Sequence, residues 1–216
     1  MDRKTYEAVD HVVFVSDACR EKMTRFYPTL LDKTLVIENI LGEKLLQQAE
    51  VPVKDMPHSD DGYRLLSIGR FSEAKNFDNV PNICKSLLDA GLHVKWYLIG
   101  YGGDDELIRQ KILEAGMEEH VILLGKKENP YPYIKACDLY VQPSRYEGKC
   151  VTVREAQTLG KPVVITRYAT SSSQLEDGVD GVVVPMDNEG CAEGIAVLLR
   201  NLEEMARLSD CCQQRD

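Results

Sequence analysis

Two carboxylates, Glu147 and Glu155, stand with seven residues between them, and Gly148, Lys149, Cys150 and Val151 directly follow the first. The stretch from Pro143 to Ala156 comes after an apolar run and closes at Leu159-Gly160-Lys161-Pro162, which reads as strand, loop, helix and a glycine stop. A helix beginning near Gly148 or Lys149 would aim free backbone N–H groups and its positive end at the carboxyl edge of a parallel sheet, where phosphate is bound. A carboxylate repels phosphate but accepts hydrogen bonds from vicinal hydroxyls. Two acids bracketing an anion site therefore suit a molecule with polyols on either side of a diphosphate. Gly69-Arg70 and Lys75 form a second group, after another strand on the same edge. Arg supplies a bidentate fork and Lys a point charge, and both would neutralise a diphosphate.

Residue types alone leave other readings open. Glu147 could be a loop acid, Glu155 half of a helix-surface charge pair, and Arg70 and Lys75 solvated charges. Gly100-x-Gly102-Gly103 lacks the third spaced glycine of a dinucleotide fingerprint and reads as a tight turn. His11, His58, His93 and His120 are scattered, with no metal-ligand spacing. No metal site is expected.

The elements that must position these residues are legible from periodicity. From Tyr63 onward short apolar runs alternate with amphipathic stretches. Strands are expected at 64–68, 94–99, 121–124, 138–142, 163–166 and 181–184. Helices are expected at 76–90, 104–115, 130–136, 149–159 and 189–202. Continuous runs such as Val-Val-Ile-Thr suit strands covered on both faces. The expected class is α/β, a Rossmann-like doubly wound parallel sheet. The first 42 residues repeat the grammar once, with strands at 11–15 and 34–38 around a helix over 17–27 capped by Ser16. Two parallel strands are too few to stand alone, so this piece reads as the end of another domain.

Composition limits the function. The chain has 216 residues, 44% apolar and 28% charged, which excludes a disordered or collagen-like class. With 26 Lys and Arg against 35 Asp and Glu, its net charge of -9 argues against nucleic-acid binding, so an anionic ligand must be held locally. No apolar run approaches the roughly 20 residues of a membrane span, and the start lacks a signal-peptide core. A cytoplasmic protein is expected. Seven cysteines without a C-x-x-C pair read as reduced thiols.

Taken together, Gly69-Arg70 with Lys75, Ile99-Gly100-Tyr101-Gly102, Val121 to Gly125, Tyr133 to Asp138, Pro143-Ser144 with Glu147-x7-Glu155, Gly160 to Val164 and Gly178 to Gly181 resemble a known family. They look like the C-terminal, donor-binding domain of GT-B glycosyltransferases, specifically the retaining family 4. The resemblance covers about 61 to 202, with residues 8 to 42 similar to the end of the acceptor-binding domain. It implies an acceptor-side piece over 1–42, a connection over 43–62, the donor domain over 63–202 and a polar tail over 203–216. Most of the acceptor domain would be missing, so the chain alone would bind donor without transferring sugar.

By the same resemblance, Arg70 and Lys75 contact the donor diphosphate and Glu147 the sugar hydroxyls, the three forming the catalytic group. Gly69, Gly148, Lys149, Cys150 and Val151 line the phosphates through backbone, Glu155 holds the ribose, and Lys126 lies near the base. The substrate would be a nucleotide sugar, with uridine diphosphate favoured and guanosine diphosphate next. Transfer would go to a glycan or lipid-linked glycan, with retention, without metal or cofactor, by front-face attack with the leaving phosphate as base. Lys149-Cys150 stands where many members have Phe-Gly, and Asn76 where Gly is common. Glu147-Gly148-Lys149 together with Asn129 to Tyr133 is similar to a branch making bacterial surface or capsular polysaccharides. An epimerase on the same scaffold and a non-catalytic nucleotide-binding module are the alternatives.

Overall fold

The computed structural model describes residues 3–42, 44–58 and 62–213. Its N-terminal piece runs α1 (Arg3–Ala8), β1 (Val12–Phe14), α2 (Asp17–Phe26), a 3-10 turn over Pro28–Lys33, and β2 (Thr34–Val36). Ser16 caps α2 as the sequence suggests, its hydroxyl accepting the Cys19 N–H at 3.2 Å. β1 and β2 pair in parallel, and Val13 and Leu35, opposite each other in register, are 53% and 45% exposed. The short helix α3 (Leu45–Gln48) begins the connection.

The larger unit contains β3 (Tyr63–Ile68), α4 (Val80–Asp89), β4 (Val94–Ile99), α5 (Asp105–Ala115), β5 (Val121–Gly125) and α6 (Tyr131–Ala136). It continues with β6 (Leu139–Gln142), α7 (Val151–Thr158), β7 (Val163–Thr166), β8 (Val182–Val184), α8 (Asn188–Leu199) and α9 (Leu202–Gln213). Strands β3 to β8 form one parallel sheet in the order β5-β4-β3-β6-β7-β8, the doubly wound arrangement expected. Alternate residues of each strand enter opposite cores. Leu65, Trp96, Leu98 and Val141 pack with α4, α5 and α8. Leu66, Tyr97, Ile99 and Tyr140 pack with α6 and α7. Every residue of β7 is buried, as its unbroken β-branched run requires.

Three segments depart from the sequence reading. α4 starts at Val80 rather than residue 76, because Asn76 adopts φ +60, left-handed backbone that a helix interior excludes. Two 3-10 turns, Glu73–Lys75 and Phe77–Asn79, flank it instead. α7 starts at Val151 rather than at Gly148 or Lys149, because Cys150 is extended. The described part of the expected polar tail is the helix α9. Leu202, Met205, Leu208 and Cys212 recur at helical spacing, and the last three are buried. We expect Leu208→Ala to cost about 3 kcal/mol in urea unfolding, whereas a solvated tail residue would show no change.

Candidate functional site

Strand order reverses between β3 and β6, so the loops leaving their carboxyl ends diverge and open a crevice. The loop after β3 carries Gly69, Arg70 and Lys75, and the loop after β6 carries Glu147 to Cys150. Lys75 Nζ crosses the junction to Glu147 Oε1 at 2.5 Å, with side chains only 16% and 12% exposed. The same oxygen accepts the Ser144 hydroxyl at 2.7 Å, and Cys150 Sγ lies 3.8 Å from Lys75 Nζ. Lys75 takes this path because Gly69 has no side chain, since a Cβ there would stand 2.8 Å from Lys75 Cε. Gly100, at φ +153, is needed in turn, because a Cβ would fall 1.9 Å from the Gly69 carbonyl oxygen.

Burial works against charge on Lys75, but Cys150 and Glu147 outweigh it and hold the ammonium above its ordinary range. Burial pushes the Cys150 thiol up, against the pull of Lys75. Cys150 is therefore protonated at neutral pH, and Glu147 is the charge that holds Lys75.

The loop is fixed from below by the end of β7 and the segment after it. Thr166 Oγ1 donates to the Ser144 carbonyl at 2.5 Å and Thr170 Oγ1 to the Glu147 carbonyl at 2.7 Å. Gln174 donates to the Cys150 carbonyl at 3.2 Å and accepts the Cys150 N–H at 2.7 Å. Side chains four residues apart thus hold carbonyls three apart. Inside, the Tyr140 hydroxyl donates to Gln142 Oε1 at 2.9 Å and meets Thr152 Oγ1 at 2.6 Å, while Gln142 Nε2 donates to Ser144 Oγ at 2.9 Å. This buried chain ends on Glu147.

Glu155 lies on α7, half-buried, and accepts the Tyr131 hydroxyl at 3.3 Å. Burial pushes its carboxyl up, and the Tyr131 bond only partly offsets that. Arg70 and Lys126 are exposed on a cleft of about 420 Å³ that Ile68, Gly69, Tyr101 and Lys127 also line. Arg70 has no side-chain partner among the described residues, and Lys126 Nζ sits 5.5 Å from the Tyr101 ring centre. Lys127 turns its ammonium away, to Asp55 at 2.6 Å.

The structure thus brings Gly69, Lys75, Glu147 and Cys150 together, and places Arg70 and Lys126 on the neighbouring wall. One expectation changes. The Cys150 amide is not free for a ligand, because Gln174 already takes it, and Val151 leads the helix. The Lys149 ammonium pairs with Glu38 of the N-terminal piece, beside Gly148, where a Cβ would stand 3.6 Å from Cys19 Sγ and 3.7 Å from Val15 Cγ2. Sequence reasoning missed Thr170, Gln174, Tyr131 and Tyr101 as parts of the site. The polar run Thr170 to Gln174 carries only a loop signal, and its role exists solely through tertiary contact.

Residues 53–215 match the family described as Glycosyl transferases group 1. The amylovoran biosynthesis glycosyltransferase AmsK of Erwinia amylovora is 29% identical over 149 residues, 65% of this chain and 36% of the relative. An N-acetylgalactosamine-N,N'-diacetylbacillosaminyl-diphospho-undecaprenol 4-alpha-N-acetylgalactosaminyltransferase of Campylobacter jejuni is 27% identical over 174 residues, 80% of this chain and 44% of the relative. The chain spans less than half the length of these relatives. Among solved structures, S. aureus TarM in complex with Fondaparinux, alpha-GlcNAc-glycerol and UDP superposes with a TM-score of 0.79 at 20% identity, over 97% of this chain and 41% of that one. That likeness is one of fold.

Two measurements test the electrostatics. Lys75→Ala leaves Glu147 buried without its counter-charge and should cost about 3 kcal/mol, and much less when Glu147→Ala is already present. Additive losses in that cycle would mean the pair is not coupled. Because the folded Glu155 carboxyl titrates above its ordinary 4.5, wild-type stability falls as pH rises from that value through the raised one. Glu155→Gln removes this loss, so unfolding free energies should show its advantage growing across the window and then levelling.

Proposed function

The chain belongs to the Glycosyl transferases group 1 family, and on that premise we propose that it binds a nucleotide-sugar donor at the β3–β6 crevice. It would be the donor-binding part of a retaining, family 4 glycosyltransferase of the surface or capsular polysaccharide branch. The observation that carries this reading is the Lys75–Glu147 pair across the crevice. It holds a cation ready for phosphate and an acid ready for hydroxyls, side by side.

In this reading Arg70 and Lys75 take the diphosphate. As the glycosidic bond breaks, they stabilise charge growing on the leaving nucleoside diphosphate, the electrostatic task of a transfer without a metal or cofactor. Among the described residues Arg70 has no ion pair to give up first, whereas Lys75 must leave Glu147. A Glu147 oxygen freed in this way accepts sugar hydroxyls. Glu155, half-buried with one weak partner, gains most from two ribose hydroxyls. The backbone at Gly148, Lys149 and Val151 approaches the phosphates, and Lys126 with Tyr101 lies by the base. Attack is from the front face, with a phosphate oxygen of the leaving group as base, so no protein nucleophile is required.

The donor we favour is a uridine diphosphate sugar, with guanosine next, a choice that the UDP in the TarM structure supports. The relatives act in amylovoran biosynthesis and on an undecaprenol-linked sugar, as their names say. On that basis the acceptor is a glycan or lipid-linked glycan. Among the described residues no helix is long and apolar enough to cross a membrane, and we place the full-length enzyme in the cytoplasm, peripheral at the inner face of the membrane. Residues 1–42 would be the end of the acceptor-side domain, joined through 43–62 to the donor domain, and sugar transfer needs the rest of the acceptor side.

Calorimetric titration with uridine, guanosine and adenosine diphosphates, with and without magnesium, tests this. Saturable, magnesium-independent binding of one of them is expected. Lys75→Ala should lower the affinity about tenfold or more. Unchanged affinity in that variant would remove Lys75 from the site.

A further inference from the structure

One buried hydroxyl beside the crevice is unaccounted for. Tyr168 is 2% exposed, and its phenolic oxygen has no hydrogen-bond partner among the described residues. A hydroxyl taken out of water without a partner is destabilising, and native proteins rarely leave one so. Its setting points to a purpose. Tyr168 lies between Thr166 and Thr170, whose hydroxyls hold the Ser144 and Glu147 carbonyls. Its ring packs in the same apolar cluster as Cys150 and Tyr140. Burial first, then the neighbouring Cys150 and Glu147, push the phenol up, so it is a protonated donor at any working pH.

Glu147 is the acceptor within that neighbourhood that stands to lose a partner. Both of its side-chain bonds, from Lys75 and from Ser144, fall on Oε1. A diphosphate that attracts Lys75 breaks the charge-assisted bond of the two and leaves a half-satisfied carboxylate in a nearly buried position. We propose that Tyr168 is a positioning residue for the donor. When a diphosphate draws Lys75 away, the Tyr168 hydroxyl becomes a hydrogen-bond donor to Glu147 and keeps that carboxylate aimed into the crevice. The bond forms as Lys75 moves from Glu147 to phosphate. This inference rests on the donor-site reading above.

The test is Tyr168→Phe in the full chain, alone and combined with Glu147→Ala, titrated with uridine diphosphate and followed in thermal unfolding. Tyr168→Phe should unfold at or above the wild-type temperature, because the Tyr168 hydroxyl makes no hydrogen bond among the described residues. It should bind uridine diphosphate about tenfold more weakly, and in the Glu147→Ala background that loss should vanish. Three results would overturn the inference: wild-type affinity in Tyr168→Phe, an equal loss in both backgrounds, which marks a merely structural role, or a lowered unfolding temperature, which shows that the hydroxyl is already bonded. If the wild-type chain binds no uridine, guanosine or adenosine diphosphate, the donor-site reading itself fails and takes this inference with it.

Discussion

One ammonium held over a seam organises the site. Lys75 reaches Glu147 across the point where the sheet's strand order reverses, and much of the surrounding structure is arranged to let it do so. Gly69 clears the path of its stem, and Gly100 clears Gly69. Left-handed Asn76 ends the turn that carries Lys75, and its amide donates to the Pro143 carbonyl on the other loop. Arg145, on that second loop, returns a bidentate pair to Asp78. The two loops are thus stitched together beside the pair, with Arg145 also donating to the Glu73 and Ala74 carbonyls, so their separation is set by the fold.

The polar groups beneath the loop follow the same logic at another level. Tyr140, Gln142 and Ser144 form a hydrogen-bonded line leading to Glu147, in positions where apolar residues would pack more cheaply. Such a line is worthwhile where one carboxylate must hold a fixed direction in a low-dielectric setting. The clamp from Thr166, Thr170 and Gln174 does the equivalent for the backbone. It also grips both backbone groups of Cys150, the extended residue from which α7 starts.

Much of this was legible in the sequence, and the exceptions have physical causes. β-Branched runs and glycine stops marked the strands because a sheet buried on both faces permits little else. The placement of Lys75 and Glu147 on loops past a strand's carboxyl end was legible, because strand and helix patterns bracket both loops. Their mutual contact was not, because it depends on strand order. Asn76 reads as a helix residue by composition, and only its backbone angle reveals the break. α9 carries enough charge to pass for a tail, although its apolar stripe is there at helical spacing. Gln174 and Tyr168 lie in a stretch that reads as loop, and their significance is wholly three-dimensional.

The distribution of the cysteines has a practical side. Cys84, Cys137, Cys191 and Cys212 are buried, with thiols pushed up to about 12, and Cys150 is buried and protonated beside Lys75. Thiolate is the form that alkylates, which leaves the half-exposed Cys19 and Cys211 as the reachable pair. One adjoins Gly148 at the mouth of the crevice, and the other lies on the last helix. The native chain therefore carries its own attachment points for a fluorophore pair, one beside the loop after β6 and one far along the sequence as a reference, without any engineered residue.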